Sequence, residues 1–203
     1  MLRSLHWIFF TAILVLGGCA GFNVELPAIT DEPTNTRLVG KIVWHDLITD
    51  TPEASRRFYG ELFGWEFEQL GGQGVNYSLI RNRGRLIGGL VDQTELQSEE
   101  DISQWMVLMS VADADAAVAH TRASGGTVFA PATDLADRGR MAILADPQGA
   151  VFAVLETPNS DPLDLDEPEV GGFLWNELWT SDIGAAVDQY LHHFNSTSLG
   201  CDH

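Results

Sequence analysis

The sequence predicts an α+β fold in which two β-α-β-β-β modules, together spanning residues 38–158, leave a concave sheet surface between them. Three observations predict it. A helix-start signal precedes apolar residues spaced by four. Short apolar runs separated by glycines follow that helix. The same order of elements then recurs about 62 residues further on.

Residues 41–48 read as the first strand. Thr51, Pro52 and Glu53 open a helix, as N-cap, first-position proline and first-turn acid. Ala54, Phe58 and Leu62 predict its apolar face, widened by Tyr59 and Phe63, and Gly64 stops it. Strands are expected at 65–70, 75–81 and 85–91, with glycines between them. In the second module, residues 105–111 read as a strand. Asp113 caps a helix carrying Ala117, Val118 and Thr121, which ends at Gly125 and Gly126. Strands at 127–130, 140–145 and 150–156 complete the module, and Asp146-Pro147-Gln148-Gly149 suits a type I turn.

Outside the domain the composition changes. Arg3 is the one charge in residues 1–18, and Trp7 to Leu16 is almost wholly apolar. That run is too short to span a bilayer, which takes ~20 residues. It has the layout of a secretory signal, and Leu16-Gly17-Gly18-Cys19 resembles the bacterial lipobox. The resemblance implies cleavage before Cys19, a diacylglycerol on its sulfur, and export to the cell envelope with the membrane as partner. Ala20 after the cysteine favours the outer membrane, facing the periplasm. Residues 19–37, with Pro27 and Pro33, read as a lipidated tether. Cys201 then has no internal partner, so no disulfide framework is implied. The net charge is −18, and setting aside residues 1–18 leaves 10 basic against 29 acidic residues. Such a field repels phosphate and excludes nucleic acid as the natural partner.

Residues 159–171 form an acidic linker, and residues 172–194 repeat residues 41–63. Trp175, Leu178, Thr180, Tyr190 and Phe194 match Trp44, Leu47, Thr49, Tyr59 and Phe63, while Asn176-Glu177 replaces His45-Asp46. Residues 172–203 therefore read as the truncated start of a second domain, one strand and one helix. That piece cannot form its own core. It must pack on the first domain, pair with another chain as a homodimer, or stay loose.

The string Trp44-His45-Asp46-Leu47, then Thr49, then Phe58-Tyr59-Gly60-Glu61-Leu62-Phe63-Gly64-Trp65, with Asp146-Pro147-Gln148-Gly149, resembles the vicinal oxygen chelate superfamily. This is the glyoxalase, bleomycin-resistance and extradiol-dioxygenase group. The resemblance implies paired modules in a cupped mixed sheet, a glyoxalase/bleomycin-resistance-like fold. Enzymes of the group usually hold a divalent metal with His, Gln or Glu from the first, fourth, fifth and eighth strands. Here those positions fall on Trp44, on Gly88 or Gly89, on Met106 and on Ala153. None is a ligand for a hard or borderline cation. A slip of one on the first strand brings in His45, but a single histidine is not a site. No metal site and no cofactor is predicted, and a divalent metal enters only if this placement is wrong.

Strand alternation puts Trp44, Asp46 and Ile48 on one face and His45 and Leu47 on the other. Facing the cleft, Asp46 is a carboxylate beside an indole, a setting for a general base or a hydrogen-bond anchor. The alternative is a carboxylate satisfied by backbone or a neighbouring arginine. His45 is a catalytic candidate or a packed histidine. The ligand-binding candidates are Trp44, Asp46, Tyr77, Gly88, Met106, Leu108 and Ala153, which read as core or as an apolar pocket. Gly88-Gly89 allows close approach of a ligand or marks a bulge.

These readings favour an envelope-anchored protein that binds a small organic molecule in the cleft without a metal. One alternative is a lyase or dioxygenase of the superfamily with an atypical site. Another is a non-catalytic interaction lipoprotein that dimerises through its truncated repeat.

Overall fold

The computed structural model describes residues 25–71, 76–96 and 102–194. The segment expected as a secretory signal, Cys19, Cys201 and the start of the strand expected at residue 75 lie outside the described residues. The first module comprises β1 (Ile42–Thr49), α1 (Pro52–Phe63), β2 (Glu66–Gln69), β3 (Tyr77–Asn82) and β4 (Arg85–Asp92). The second comprises β5 (Gln104–Ser110), α2 (Ala114–Ala123), β6 (Thr127–Asp134), β7 (Arg140–Ala145) and β8 (Val151–Glu156). One further helix, α3 (Ile183–Phe194), follows.

The eight strands form one mixed sheet in the order β2-β3-β4-β1-β5-β8-β7-β6. β1 lies parallel to β4, and β5 lies parallel to β8. The modules join where β1 and β5 run antiparallel, with Asp46 opposite Met106 and Trp44 opposite Leu108. Each first strand thus sits at the centre of the sheet, and its alternate side chains enter two different cores.

The helix ends follow the sequence signals. Gly64, at φ 74°, ends α1 and sends its N–H to the Gly60 carbonyl. Asp113 caps α2 by accepting from the Ala116 N–H at 2.8 Å. Helix α2 buries Ala114, Ala117 and Val118 against Met109, Leu144, Phe152 and Val154. On the same, helix-bearing face Leu47, Trp65, Ile80 and Leu90 pack with Tyr59 and Trp105. On the opposite, concave face Trp44, Tyr77, Leu79, Met106, Leu108, Ala153 and Leu155 form a separate cluster.

Four expectations differ from the structure. The apolar stripe of α1 is turned outward: Phe58 and Leu62 are exposed, and Tyr59 carries the packing with its neighbours Ser55 and Gly60 half-buried. The ring of Tyr59 stacks on Trp65 at 5.2 Å, and that aromatic contact sets the helix's rotation. Strand β6 extends four residues past its expected end, through Pro131, because it pairs along β7 at the sheet edge, where a proline is tolerated. Residues 173–180 form no strand, since no described strand lies beside them to complete a ladder; only the helix of the repeat forms. The end of the segment read as a tether is packed, with Leu26 and Ile29 buried in the concave cluster.

Candidate functional site

The concave face is built around β1. Trp44 and Asp46 project into it two residues apart, and both are buried. The indole Nε1–H of Trp44 donates to Asp46 Oδ1 at 2.9 Å, and the Tyr77 hydroxyl donates to the same oxygen at 2.7 Å. The phenol oxygen of Tyr77 in turn lies 3.1 Å from the indole nitrogen and accepts from Arg138 Nη1 at 3.2 Å. Burial is the largest influence on Tyr77 and holds its phenol well above the usual range; Arg138 opposes this and Asp46 adds to it. Tyr77 is therefore a proton donor at neutral pH and not a base.

Arg138 is 1% exposed. Its guanidinium carbon sits 4.6 Å from the centre of the Trp44 ring and 5.5 Å from that of Tyr77, a cation–π arrangement. The following Gly139 has φ 103°, and a Cβ there would stand 2.2 Å from the Glu156 carbonyl oxygen. Only glycine fits, and the resulting turn directs Arg138 inward.

Each sequence candidate can now be placed. Trp44, Asp46, Tyr77, Met106, Leu108 and Ala153 come together in the cup. Gly88 does not. It faces His45 on the helix-bearing side, with its missing Cβ 2.5 Å from the His45 carbonyl oxygen. Gly89 fronts the cup instead, opposite Asp46 in the register. A Cβ on Gly89 would fall 1.8 Å from the Tyr77 hydroxyl and 2.5 Å from Asp46 Oδ1. What this glycine admits is the chain's own hydrogen-bond network.

His45 is also on the far side from Asp46. Its ring stacks on Phe173 at 3.7 Å, and its Nε2 donates to Asn176 Oδ1 at 2.8 Å. Burial pushes its pKa down, while the Asn176 bond and the Asp46 charge push it up. His45 and Asp46 cannot share a site, because neighbours in a strand point to opposite faces.

Sequence reasoning missed Arg138, Leu26 and Ile29, and of the Gly88-Gly89 pair it took Gly88 as the ligand-facing member where Gly89 fronts the cup. Two arginines stand close together where the chain enters β7, Arg138 just before the strand and Arg140 as its first residue. Arg140 reaches outward to Asp115 and Asp134, whereas Arg138 is enclosed, and nothing in their spacing distinguishes them.

The donor set does not fit a divalent cation. The four positions that correspond to the superfamily's metal ligands hold an indole, a hydrogen, a thioether and a methyl group. Asp46 is the one carboxylate among these cup residues, and its Oδ1 is already held by two donors. Among the described residues no three His, Cys, Asp or Glu side chains are grouped as ligands.

An eight-stranded cup of two β-α-β-β-β modules, with a polar cluster on its floor, defines the class. A family model for a glyoxalase-like domain matches residues 43–155, and the chain belongs to that family. The protein is 35% identical over 150 residues to CFP32 of Mycobacterium tuberculosis, which carries a glyoxylase name. That match spans 72% of this chain and 57% of CFP32. It is 31% identical over 163 residues to the anthracycline biosynthesis protein DnrV of Streptomyces peucetius, across 74% of this chain and 59% of that one. The chain thus matches somewhat more than half the length of these relatives. Among solved structures it is similar to a methylmalonyl-CoA epimerase, at 18% identity and a TM-score of 0.47, over 62% of this chain and all of that one.

Proposed function

We propose that this protein is an envelope-anchored glyoxalase-like domain that binds a small organic molecule in its cup without a metal ion. The observation that carries the reading is the group Trp44, Asp46, Tyr77 and Arg138, converging within apolar walls. A few placed polar groups in a largely apolar concavity are the usual makings of a ligand site. The side chains at the superfamily's metal positions favour binding over metal-assisted lyase or dioxygenase chemistry. CFP32 and DnrV are named for small-molecule chemistry, which supports an organic ligand here. The envelope location rests on Cys19 and the apolar run before it.

The test begins with metal content of the full chain by elemental mass spectrometry, followed by a thermal-shift screen of organic compounds. Substoichiometric metal and at least one stabilising compound are expected. Near-stoichiometric nickel, zinc, iron or manganese would move the enzyme alternative to the front. A folded protein that no compound stabilises would remove the binding reading. For the anchor, Cys19→Ser is expected to shift the protein from the membrane to the soluble fraction of a bacterial host; unchanged fractionation would refute lipidation.

A second reading has its own support. Leu174, Trp175, Trp179 and Ile183 are all more than 70% exposed on the segment that repeats the start of the domain. Exposed apolar side chains in that number favour an interaction surface, with dimerisation through this repeated segment as its form. Size measurement at several concentrations tests it, and a strict monomer removes it.

A further inference from the structure

The cup is filled by the chain itself. Leu26 and Ile29 are buried there beside Trp44, Met106 and Leu108, although they precede β1 and belong to neither module. The backbone of this segment also satisfies Arg138. The Pro27 carbonyl accepts from Arg138 Nε at 2.8 Å, and the Leu26 carbonyl accepts from the Arg138 backbone N–H at 3.1 Å, a donor shared with the Leu135 carbonyl at 3.2 Å. Among the described residues Nη2 of Arg138 has no partner. A fully buried guanidinium nitrogen without an acceptor is costly and needs a reason.

The segment is held unevenly. Further along, Asp161 fixes it firmly. Asp161 is completely buried and accepts from the Leu38 N–H at 2.6 Å, the Ser110 hydroxyl at 2.6 Å and the Thr157 hydroxyl at 2.7 Å. Thr34 and Thr36 add bonds to the Asp161 backbone. Next to the cup, the outer fastening is the surface pair of Asp31 with Arg81, a fork of two 2.9 Å bonds. Half in water, it is a smaller hold than a fully buried carboxylate with three donors. Displacing residues 26–29 would break this fork and the two Arg138 bonds while residues 34–38 keep theirs.

We infer that residues 26–29 are a built-in occupant of the ligand cup, displaced by a neutral carbonyl compound with a branched apolar body, whose oxygen Arg138 binds in place of the Pro27 carbonyl. This rests on the binding reading above. Neutrality follows from charge balance. Arg138 is already linked through Tyr77 to Asp46, so one buried cation and one buried carboxylate stand in the same network. A carboxylate ligand would leave an uncompensated negative charge in the cup, and the acidic protein would repel it on approach. A ketone, ester or amide adds the acceptor without the charge. The apolar part replaces the side chains of Leu26 and Ile29.

The closing experiment uses 4-methyl-2-pentanone, which carries an isobutyl group and a carbonyl, and its counterpart 4-methylpentanoate. Each is titrated into the full chain and into its Leu26→Ala/Ile29→Ala variant, following the Trp44 indole N–H by NMR. The ketone is expected to shift that signal and to bind the variant at least tenfold more tightly, since the open state is then more populated. The carboxylate is expected to bind neither. Equal ketone affinity for the two proteins overturns the inference and leaves the binding reading intact. Tighter binding of the carboxylate overturns the ligand class. No ketone binding to the variant, with its fold confirmed, overturns the inference, while the binding reading stands or falls by the thermal-shift screen. Should the variant fail to fold, hydrogen exchange on the unaltered protein decides. The Trp44 indole N–H, packed in one cluster with Leu26 and Ile29, is expected to exchange at least tenfold faster than the amides of β1 and β5; exchange at the same rate as theirs overturns the inference.

Discussion

At the residue scale, the site depends on one hydroxyl. Tyr77 donates a hydrogen bond to Asp46 and accepts from Trp44 and Arg138, so it links the carboxylate to the guanidinium. Tyr77→Phe keeps the ring and removes the link. It leaves a buried carboxylate and a buried cation each short of a partner, and a loss of about 1–3 kcal/mol is expected in chemical denaturation. A neutral result would mean that water replaces the hydroxyl. His45 makes a second residue-scale case. Its pKa is lowered in the folded protein, chiefly by burial, so the folded state resists protonation more than the unfolded chain does. The associated stability is complete above the unfolded pKa of about 6.5 and is lost as pH falls through it. The melting temperature is expected to drop between pH 7 and pH 5.5, and less in His45→Gln. Equal slopes in the two proteins would show that the Phe173 stack does not depend on a neutral ring.

Elements show how far local signals reach. The caps at Asp113 and Gly64 are read from residue type, because each satisfies backbone groups at a helix end. The outward rotation of α1 is not readable in that way. Phe58 and Tyr59 are adjacent aromatics, and which of them packs depends on Trp65 and Trp105, which other elements bring in. The strand expected within residues 173–180 failed for a related reason. Its pattern matches β1, but β1 is a strand because β4 and β5 flank it. The connection between residues 34–38 and 157–161 also belongs to this scale. Asp161 closes it, its fully buried carboxylate accepting three bonds. Asp161→Ala is expected to destabilise the protein by about 2–4 kcal/mol, since it strands a buried backbone N–H and two hydroxyls. Unfolding in urea measures this, and a change below about 1 kcal/mol would show that the clamp is incidental.

At the scale of the whole molecule, the amino-acid sequence determined the two modules, their strand order along the chain and which side chains of β1 share a face. These follow from local periodicities and end signals that need no partner to be read. It also determined which side chains stand at the superfamily's metal positions, because residue identity settles what can ligate. Only the tertiary structure decided that β1 and β5 join the modules, that Gly89 and not Gly88 fronts the cup, and that Arg138 lies inside while Arg140 lies outside. It alone placed Leu26 and Ile29 in the cup, some fifteen residues before the strand they cover. Sequence spacing reports which side chains share a face, but not which distant segment will cover that face. That choice is made when apolar surface leaves water, and it depends on every segment that competes for the same concavity.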